Sequence, residues 1–431
     1  MIYCIQICII FYFGERIISV PVRKDLKHNM ELPLQEIELA AKRLASTVHK
    51  TKLERSTTFS EMTGGEIYLK YENQQKTGSF KIRGASNKIA ALCERGEIKA
   101  AVASSAGNHA QGTAYAAKVH GIPAIICMPK STPIAKVEAT KGYGAKVVLH
   151  GDCYDDAYEK ALEIVEKEGA TFIHPFDDLE VMAGQGTLGI EILEDLPTVD
   201  MIIVPAGGGG LLAGVAACVK QINPRVKIIG VQAEGAPAIA HSFKEKKHCT
   251  TDKSMTIADG ISVKNPGEKT IELINRYVDD VVTVSEAEIS SAILYLIERT
   301  KQVVEPAGAT SLAAVISGKV DVKGKRAACI LSGGNIDVSF IQRIIELGLS
   351  ERGRKIKFRA TLLDIPGSLE HLSRVLKEQN ANIVMVQYDR MSAELDPNEA
   401  IIHIACEVGG KEHGQKVIKA LKSSGYDVTL E

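Results

Sequence analysis

Apolar positions along the chain follow two rhythms. Between about residues 31 and 345, short unbroken apolar runs alternate with longer stretches of helical spacing. The runs 100–103, 124–128, 146–149, 201–206, 228–231 and 327–331 read as strands buried on both faces. Leu34, Ile37, Ala41 and Leu44 mark a helix at the start of this region. Further helices are predicted after 104–109, through Val137, after Gly210, and over 338–347. Alternating strand and helix predicts a parallel sheet covered by helices, an α/β body whose ligands collect at the carboxyl ends of the strands.

Past residue 355 the rhythm changes. Ile356, Phe358, Ala360 and Leu362 alternate with Lys357, Arg359 and Thr361, the pattern of a half-buried strand. Leu369, Leu372, Val375 and Leu376 have helical spacing, and 383–388 reads as a strand. Ala400, Ile402, Ile404, Cys406 and Val408 alternate again. Val417, Ile418 and Leu421 mark a second helix, and 426–430 a last strand. The order βαββαβ is ferredoxin-like. The stretch 346–355 contains the charged S-E-R-G-R-K at 350–355 and reads as a linker to a module at 356–431.

Composition narrows the classes. The 431 residues leave room for two or three domains. Lys+Arg and Asp+Glu number 52 and 53, so no basic stripe calls for nucleic acid or an anionic membrane. Nine cysteines without a C-x-x-C pair predict reduced thiols and a cytoplasmic protein, with Cys93, Cys127, Cys218 and Cys329 in the core. Residues 1–30 stand apart. Their apolar run 1–13 is too short to span a bilayer and lacks a preceding positive stretch. They read as an extension ahead of a true start at Met30. A signal peptide is the competing reading, although no small-residue cleavage site is evident.

Three separated features carry the chemistry. Lys81 lies in S-F-K-I-R-G at 79–84, between a large ring and a β-branched residue. Desolvation there would lower its pKa and free its amine as a nucleophile for imine formation. Gly207, Gly208, Gly209 and Gly210 follow the apolar run 201–206 and precede a helix. Without Cβ atoms, their N–H groups can converge on an anion at the positive end of that helix. No Lys-Ser or Lys-Thr follows, and Leu212 takes the last place of a G-x-G-x-x-G pattern. That excludes a P-loop and a dinucleotide fingerprint, and points to a monophosphate. Ser332, in S-G-G-N at 332–335, supplies a hydroxyl at the same sheet edge. A phosphate site, an imine-forming lysine and a hydroxyl for a ring atom together describe pyridoxal 5'-phosphate.

On these residues the chain resembles the threonine dehydratases, or threonine ammonia-lyases, of the fold-type II pyridoxal-phosphate family. The resemblance covers about residues 34–345. It rests on S-F-K-I-R-G at 79–84, S-A-G-N-H-A-Q-G at 105–112, G-G-G-G-L at 207–211 and S-G-G-N at 332–335. It implies a tryptophan synthase β-like body with two parallel-sheet subdomains, the smaller at about 78–175 inserted in the larger. It implies that Lys81 joins the cofactor as an imine and later takes the Cα proton, with Phe80 beside the ring. Asn108 would meet the phenolic oxygen. Gly207 to Gly210 and the Leu211 N–H would hold the phosphate, and Ser332 would meet the pyridine nitrogen. Ser105, Ala106, Gly107, Asn108 and His109 would hold the substrate carboxylate through backbone N–H groups, and Glu305 would stand near the cofactor.

The implied reaction converts threonine to 2-oxobutanoate and ammonia, with serine as a second substrate. Serine racemases of the family carry a proton-donating serine where this chain has Ala106, which favours elimination. A serine dehydratase or serine racemase is the alternative, and a non-catalytic amino-acid sensor a further one. Some relatives hold a divalent metal after a strand. Glu234 and Ala238 fit that pattern, but Ala240 replaces an acid, so no metal is expected. L-D-I-P-G-S-L at 363–369 resembles the first turn of ACT domains, which bind amino acids at paired interfaces. It implies an effector, isoleucine or valine, near Asp364, Gly367, Asn382 and Ile383. The family implies a homo-oligomer, dimer or tetramer.

Overall fold

The computed structural model describes residues 8–13, 16–21 and 30–431, except 253 and 392–394. The chain divides into two compact units, Met1–Glu31 and Leu32–Glu431. In the first, the strands Cys8–Phe13 and Arg16–Pro21 pair antiparallel. Residues 1–7, 14–15 and 22–29 of the predicted extension lie outside the described residues.

In the second unit a six-stranded sheet forms the main layer. Its order is Asp280–Val284, Lys227–Ala233, Met201–Pro205, Arg326–Ile330, Glu66–Lys70 and Leu53–Ser56. All neighbours are parallel except the last pair. Met201–Pro205 is buried along its whole length, because helices cover both faces. A separate four-stranded parallel sheet runs Lys146–Leu149, Ala124–Met128, Ala101–Ser104, Thr171–Phe172. Each sheet has its own core. The larger includes Ile203, Val231 and Cys329, and the smaller includes Ala103, Ile126 and Met128.

The third sheet is antiparallel: Asn382–Asp389, Glu399–Glu407, Lys355–Leu363, Val428–Leu430. The helices Ser368–Glu378 and Lys411–Ser423 complete the βαββαβ order and close a core around Phe358, Leu376, Ile404 and Leu421.

Three local expectations change. The first helix, Leu34–Leu44, buries Ile37, Ala40 and Leu44, and Ala41 falls beside the buried stripe. Cys93 is only half-buried, while Cys127, Cys218 and Cys329 are core residues. The stretch 346–355 is no free linker: the helix Val338–Glu351 continues through most of it. Arg352 and Arg354 both pair with Glu298, and Lys355 pairs with Glu346, so ion pairs pin the connection. No helix among the described residues is long and apolar enough to cross a membrane.

Candidate active site

The site gathers at the carboxyl ends of the parallel strands. Lys81 is the first residue of the helix Lys81–Arg95, and Phe80 caps it. Its Nζ donates to the carbonyl of Pro175 at 2.9 Å and lies 5.4 Å from the centre of the Phe80 ring. Burial pushes the lysine pKa down to about 8, against the opposing pull of the Glu305 carboxylate. Near neutral pH a usable fraction of the side chain is therefore free amine.

Beneath this helix lies a buried ionic cluster. Arg83 is fully buried and forks onto Glu72, with Nε–Oε2 and Nη2–Oε1 both at 2.8 Å. It also reaches Glu191 at 2.6 Å and Thr187 at 3.1 Å. Lys70 donates to the same Glu191 at 2.6 Å. Every charge in the cluster has a partner, as burial requires. The cluster ties the lysine's helix to the strand Glu66–Lys70 and the helix Leu179–Asp195.

The glycine turn leads from Met201–Pro205 into the helix Gly210–Ile222. Gly209 has φ +96, a conformation that favours glycine. A Cβ at Gly207 would stand 2.8 Å from Ile261 Cα, and one at Gly210 would stand 2.9 Å from Phe176 Cα. The turn closes only as bare backbone. The first N–H groups of the helix have no intrahelical acceptor and no side-chain cap, an arrangement that suits an anion.

Ser105, Ala106 and Gly107 form the turn between Ala101–Ser104 and the helix Asn108–Val119. His109 is buried, and its Nε2 lies 2.7 Å from the Ile173 carbonyl. A carbonyl only accepts, so this nitrogen carries the hydrogen. Burial, reinforced by the Lys81 charge, pushes the imidazole down to about 3, and it is neutral at physiological pH. Asn108 Nδ2 donates to both carboxyl oxygens of Glu305, at 2.8 and 3.0 Å. Burial lifts the Glu305 pKa to about 7, and Asn108 opposes the shift. Ser332 is buried, and its carbonyl accepts from Phe80 N at 3.0 Å. The lysine's segment and the serine's turn are thus sewn together.

The segment Ile173 to Asp177 was invisible to sequence reasoning. It contacts three parts of the site. Ile173 O meets His109, Pro175 O meets Lys81, and the Phe176 ring covers Gly208. Its signal was faint: an H-P-F-D turn just before Asp178, which caps the helix Leu179–Asp195.

The four residues expected around an effector do not meet within one chain. Asp364 accepts from Tyr388 and Arg390, at 3.2 and 3.0 Å. Asn382 donates to Glu407 at 3.1 Å. Strand register sets Leu363 opposite Glu399, and Asn382 opposite Glu407. The pair Asp364 and Gly367 and the pair Asn382 and Ile383 therefore sit at opposite ends of the sheet, roughly 25 Å apart at ~3.3 Å per residue.

A partly neutral lysine, a backbone anion cradle and a buried serine hydroxyl on one sheet edge fit a phosphorylated aldehyde cofactor. A family model described as pyridoxal-phosphate dependent enzyme matches residues 44–333, and the chain belongs to that family. An L-threonine ammonia-lyase of Thermotoga maritima is 48% identical over 399 residues, covering 93% of this chain and 99% of its own. That length necessarily reaches well into the C-terminal module. Threonine deaminase isoform 2 from Solanum lycopersicum superposes with a TM-score of 0.70 at 36% identity, covering 75% of this chain and 89% of its own. Maize serine racemase superposes with a TM-score of 0.69 at 37% identity, covering 74% and 98%.

Proposed function

We propose that this chain is an L-threonine ammonia-lyase, converting L-threonine to 2-oxobutanoate and ammonia, and L-serine to pyruvate and ammonia. The observation that carries it is Lys81, its amine partly neutral and held against Pro175 O, the residue before the Phe176 ring that covers Gly208. Pyridoxal phosphate supplies a carbonyl for imine formation and a ring that takes up charge from Cα. Gly207 to Gly210 and the Leu211 N–H hold its phosphate. Asn108 and Ser332 hold the phenolic oxygen and ring nitrogen. The Ser332 hydroxyl is neutral and would offer the ring nitrogen a hydrogen bond rather than a full proton, which suits prompt loss of the β-hydroxyl. The turn 105–109 receives the substrate carboxylate on backbone N–H groups. Lys81 Nζ, once free, accepts the Cα proton. His109, neutral and fixed by Ile173 O, adds no charge beside it.

The test is direct. Purified protein should show a visible band with bound cofactor, and borohydride should fix that cofactor on Lys81. Threonine should yield a keto acid trapped as a hydrazone. A protein that binds no cofactor, or fixes it elsewhere, overturns the reading. The likeness to maize serine racemase keeps racemisation as the second reading. Ala106 opposes it, having no proton to give to the far face of Cα.

The module at 356–431 is proposed to bind isoleucine or valine. Its separated half-sites would complete each other in a homo-oligomer. Antiparallel pairing of two copies through the edge strand Asn382–Asp389 would bring the Asp364 end of one against the Asn382 end of the other. Val384, Met385 and Val386 on that strand are exposed. Calorimetry with both amino acids, beside a mass measurement by light scattering, decides this. No heat and no change in activity would leave the module a structural role. Seven cysteines, Cys93, Cys127, Cys153, Cys218, Cys249, Cys329 and Cys406, are free thiols, which supports a reducing, cytoplasmic setting.

A further inference from the structure

Asn335, the last residue of the S-G-G-N turn, lies between the segments that carry Lys81 and Asn108. Its Nδ2 donates to the Thr77 carbonyl at 2.7 Å and to Oδ1 of Asn108 at 2.8 Å. Its own Oδ1 presses on Gly78, where a Cβ would come within 2.3 Å. Gly78 also has φ +73, so the position favours glycine on two grounds. Gly334 N donates to Gly78 O at 2.8 Å, and Phe80 N to Ser332 O at 3.0 Å. Side chain and backbone bind the same two loops.

The direction of these bonds is set at one end. A peptide carbonyl only accepts, so Thr77 demands the amino end of Asn335. The other hydrogen of that group reaches Asn108, which must answer with its oxygen. The amino group of Asn108 is then turned toward Glu305, whose oxygens accept it. An asparagine alone can present either end of its amide. This one is held to a single orientation from both sides.

We propose that Asn335 is a positioning residue: by occupying Oδ1 of Asn108, it makes Asn108 offer an N–H donor, never a carbonyl, to the phenolic oxygen of the pyridoxal ring. The inference rests on the reading that Lys81 holds this cofactor. A donor stabilises charge on that oxygen, whereas a carbonyl repels it. Without the donor the oxygen becomes more basic and retains its shared proton to higher pH. Asn335→Ala removes one of the two restraints and leaves the amide of Asn108 held by Glu305 alone. Asn335→Asp places acceptors against Thr77 O and drives the amide the wrong way.

The experiment titrates pyridoxal phosphate into the cofactor-free full chain and follows the pH midpoint of its visible band. Cofactor affinity should fall about tenfold in Asn335→Ala and further in Asn335→Asp, with the band midpoint moving up by about one pH unit in both. In an Asn108→Ala background, Asn335→Ala should cost less than twofold, because the residue it positions is gone. Equal loss in both backgrounds, or an unmoved midpoint, means that Asn335 only packs the loop, and the proposal fails. Asn335→Ser serves if the alanine variant does not fold, with the same outcomes required. A wild-type chain that neither binds the cofactor nor shows the band removes the cofactor reading itself, a separate failure visible before any variant is made.

Discussion

Phe176 lies so close to Gly208 that a Cβ on the glycine would stand 2.3 Å from Cδ1 of the ring. A ring fixed between His174 and the glycine turn cannot step aside as a flexible chain end would; its centre is 4.8 Å from that of the imidazole. Gly208→Ala should therefore widen the cradle and weaken cofactor binding by about tenfold or more, measured by equilibrium dialysis. Phe176→Ala added to it should restore part of the loss. Unchanged affinity in Gly208→Ala would sink the cradle assignment.

Arg83→Met leaves Glu72 and Glu191 short of their main partner. Glu72 is fully buried, and the paired guanidinium holds its carboxyl below the usual range despite the cost of burial. Removing one member of such a cluster costs about 3–5 kcal/mol. The urea midpoint of the cofactor-free protein should fall accordingly. Arg83→Lys should recover only part, since an ammonium cannot fork onto two carboxylates.

Glu305 shows the opposite sign from most carboxyls. Its pKa is raised from 4.5 to about 7, so the folded state holds a proton that the unfolded state releases. The resulting penalty is absent below about pH 4.5, grows as pH rises, and is complete above about 7. Glu305→Gln should stabilise the cofactor-free protein at pH 8 by up to about 3 kcal/mol and leave it nearly unchanged at pH 4.5. Equal gains at both pH values would show that the charge is not the cause.

Lys81 carries the mirror-image cost. Its pKa falls from 10.5 to about 8, so the buried ammonium destabilises the fold fully below about pH 8, and the penalty fades toward 10.5. Lys81→Met should raise cofactor-free stability at pH 7 by about 1–3 kcal/mol, discounted for partial exposure and for the lost bond to Pro175. The gain should vanish near pH 10.5. The same variant should lose all threonine turnover.

Ala106→Ser would put a hydroxyl into the turn ahead of the helix Asn108–Val119. Chiral chromatography should then detect D-serine formed from L-serine, with keto-acid production falling. D-serine from the unchanged chain would instead favour the racemase reading.

The parts of the site legible in the sequence were those set by local chemistry. Four glycines between a strand and a helix announce a bare-backbone turn, and Lys81 stands out through its neighbours. What stayed hidden is assembled by topology. Arg83 meets Glu191 across 108 residues, and Asn108 meets Glu305 across 197. No periodicity encodes such meetings. The 350–355 stretch misled because its charges resemble a solvated hinge, whereas Arg352 and Arg354 are spent on Glu298. Spacing also could not show that Asp364 and Asn382 occupy opposite ends of one sheet.

The strand Glu66–Lys70 pairs with Leu53–Ser56 and with Arg326–Ile330. One neighbour is local, while the other lies about 260 residues further on, roughly 13–50 s of ribosome time at ~5–20 residues per second. The four-stranded sheet, all within residues 101–172, can assemble during that interval. Until Arg326–Ile330 arrives, the small subdomain can form while the central sheet stays in two pieces, with Met201–Pro205 and Glu66–Lys70 both lacking their shared neighbour. The turn bearing Ser332 and Asn335 is among the last parts of the body to leave the exit tunnel. Completion of the central sheet and completion of the cofactor site therefore fall together, at the end of synthesis of the body.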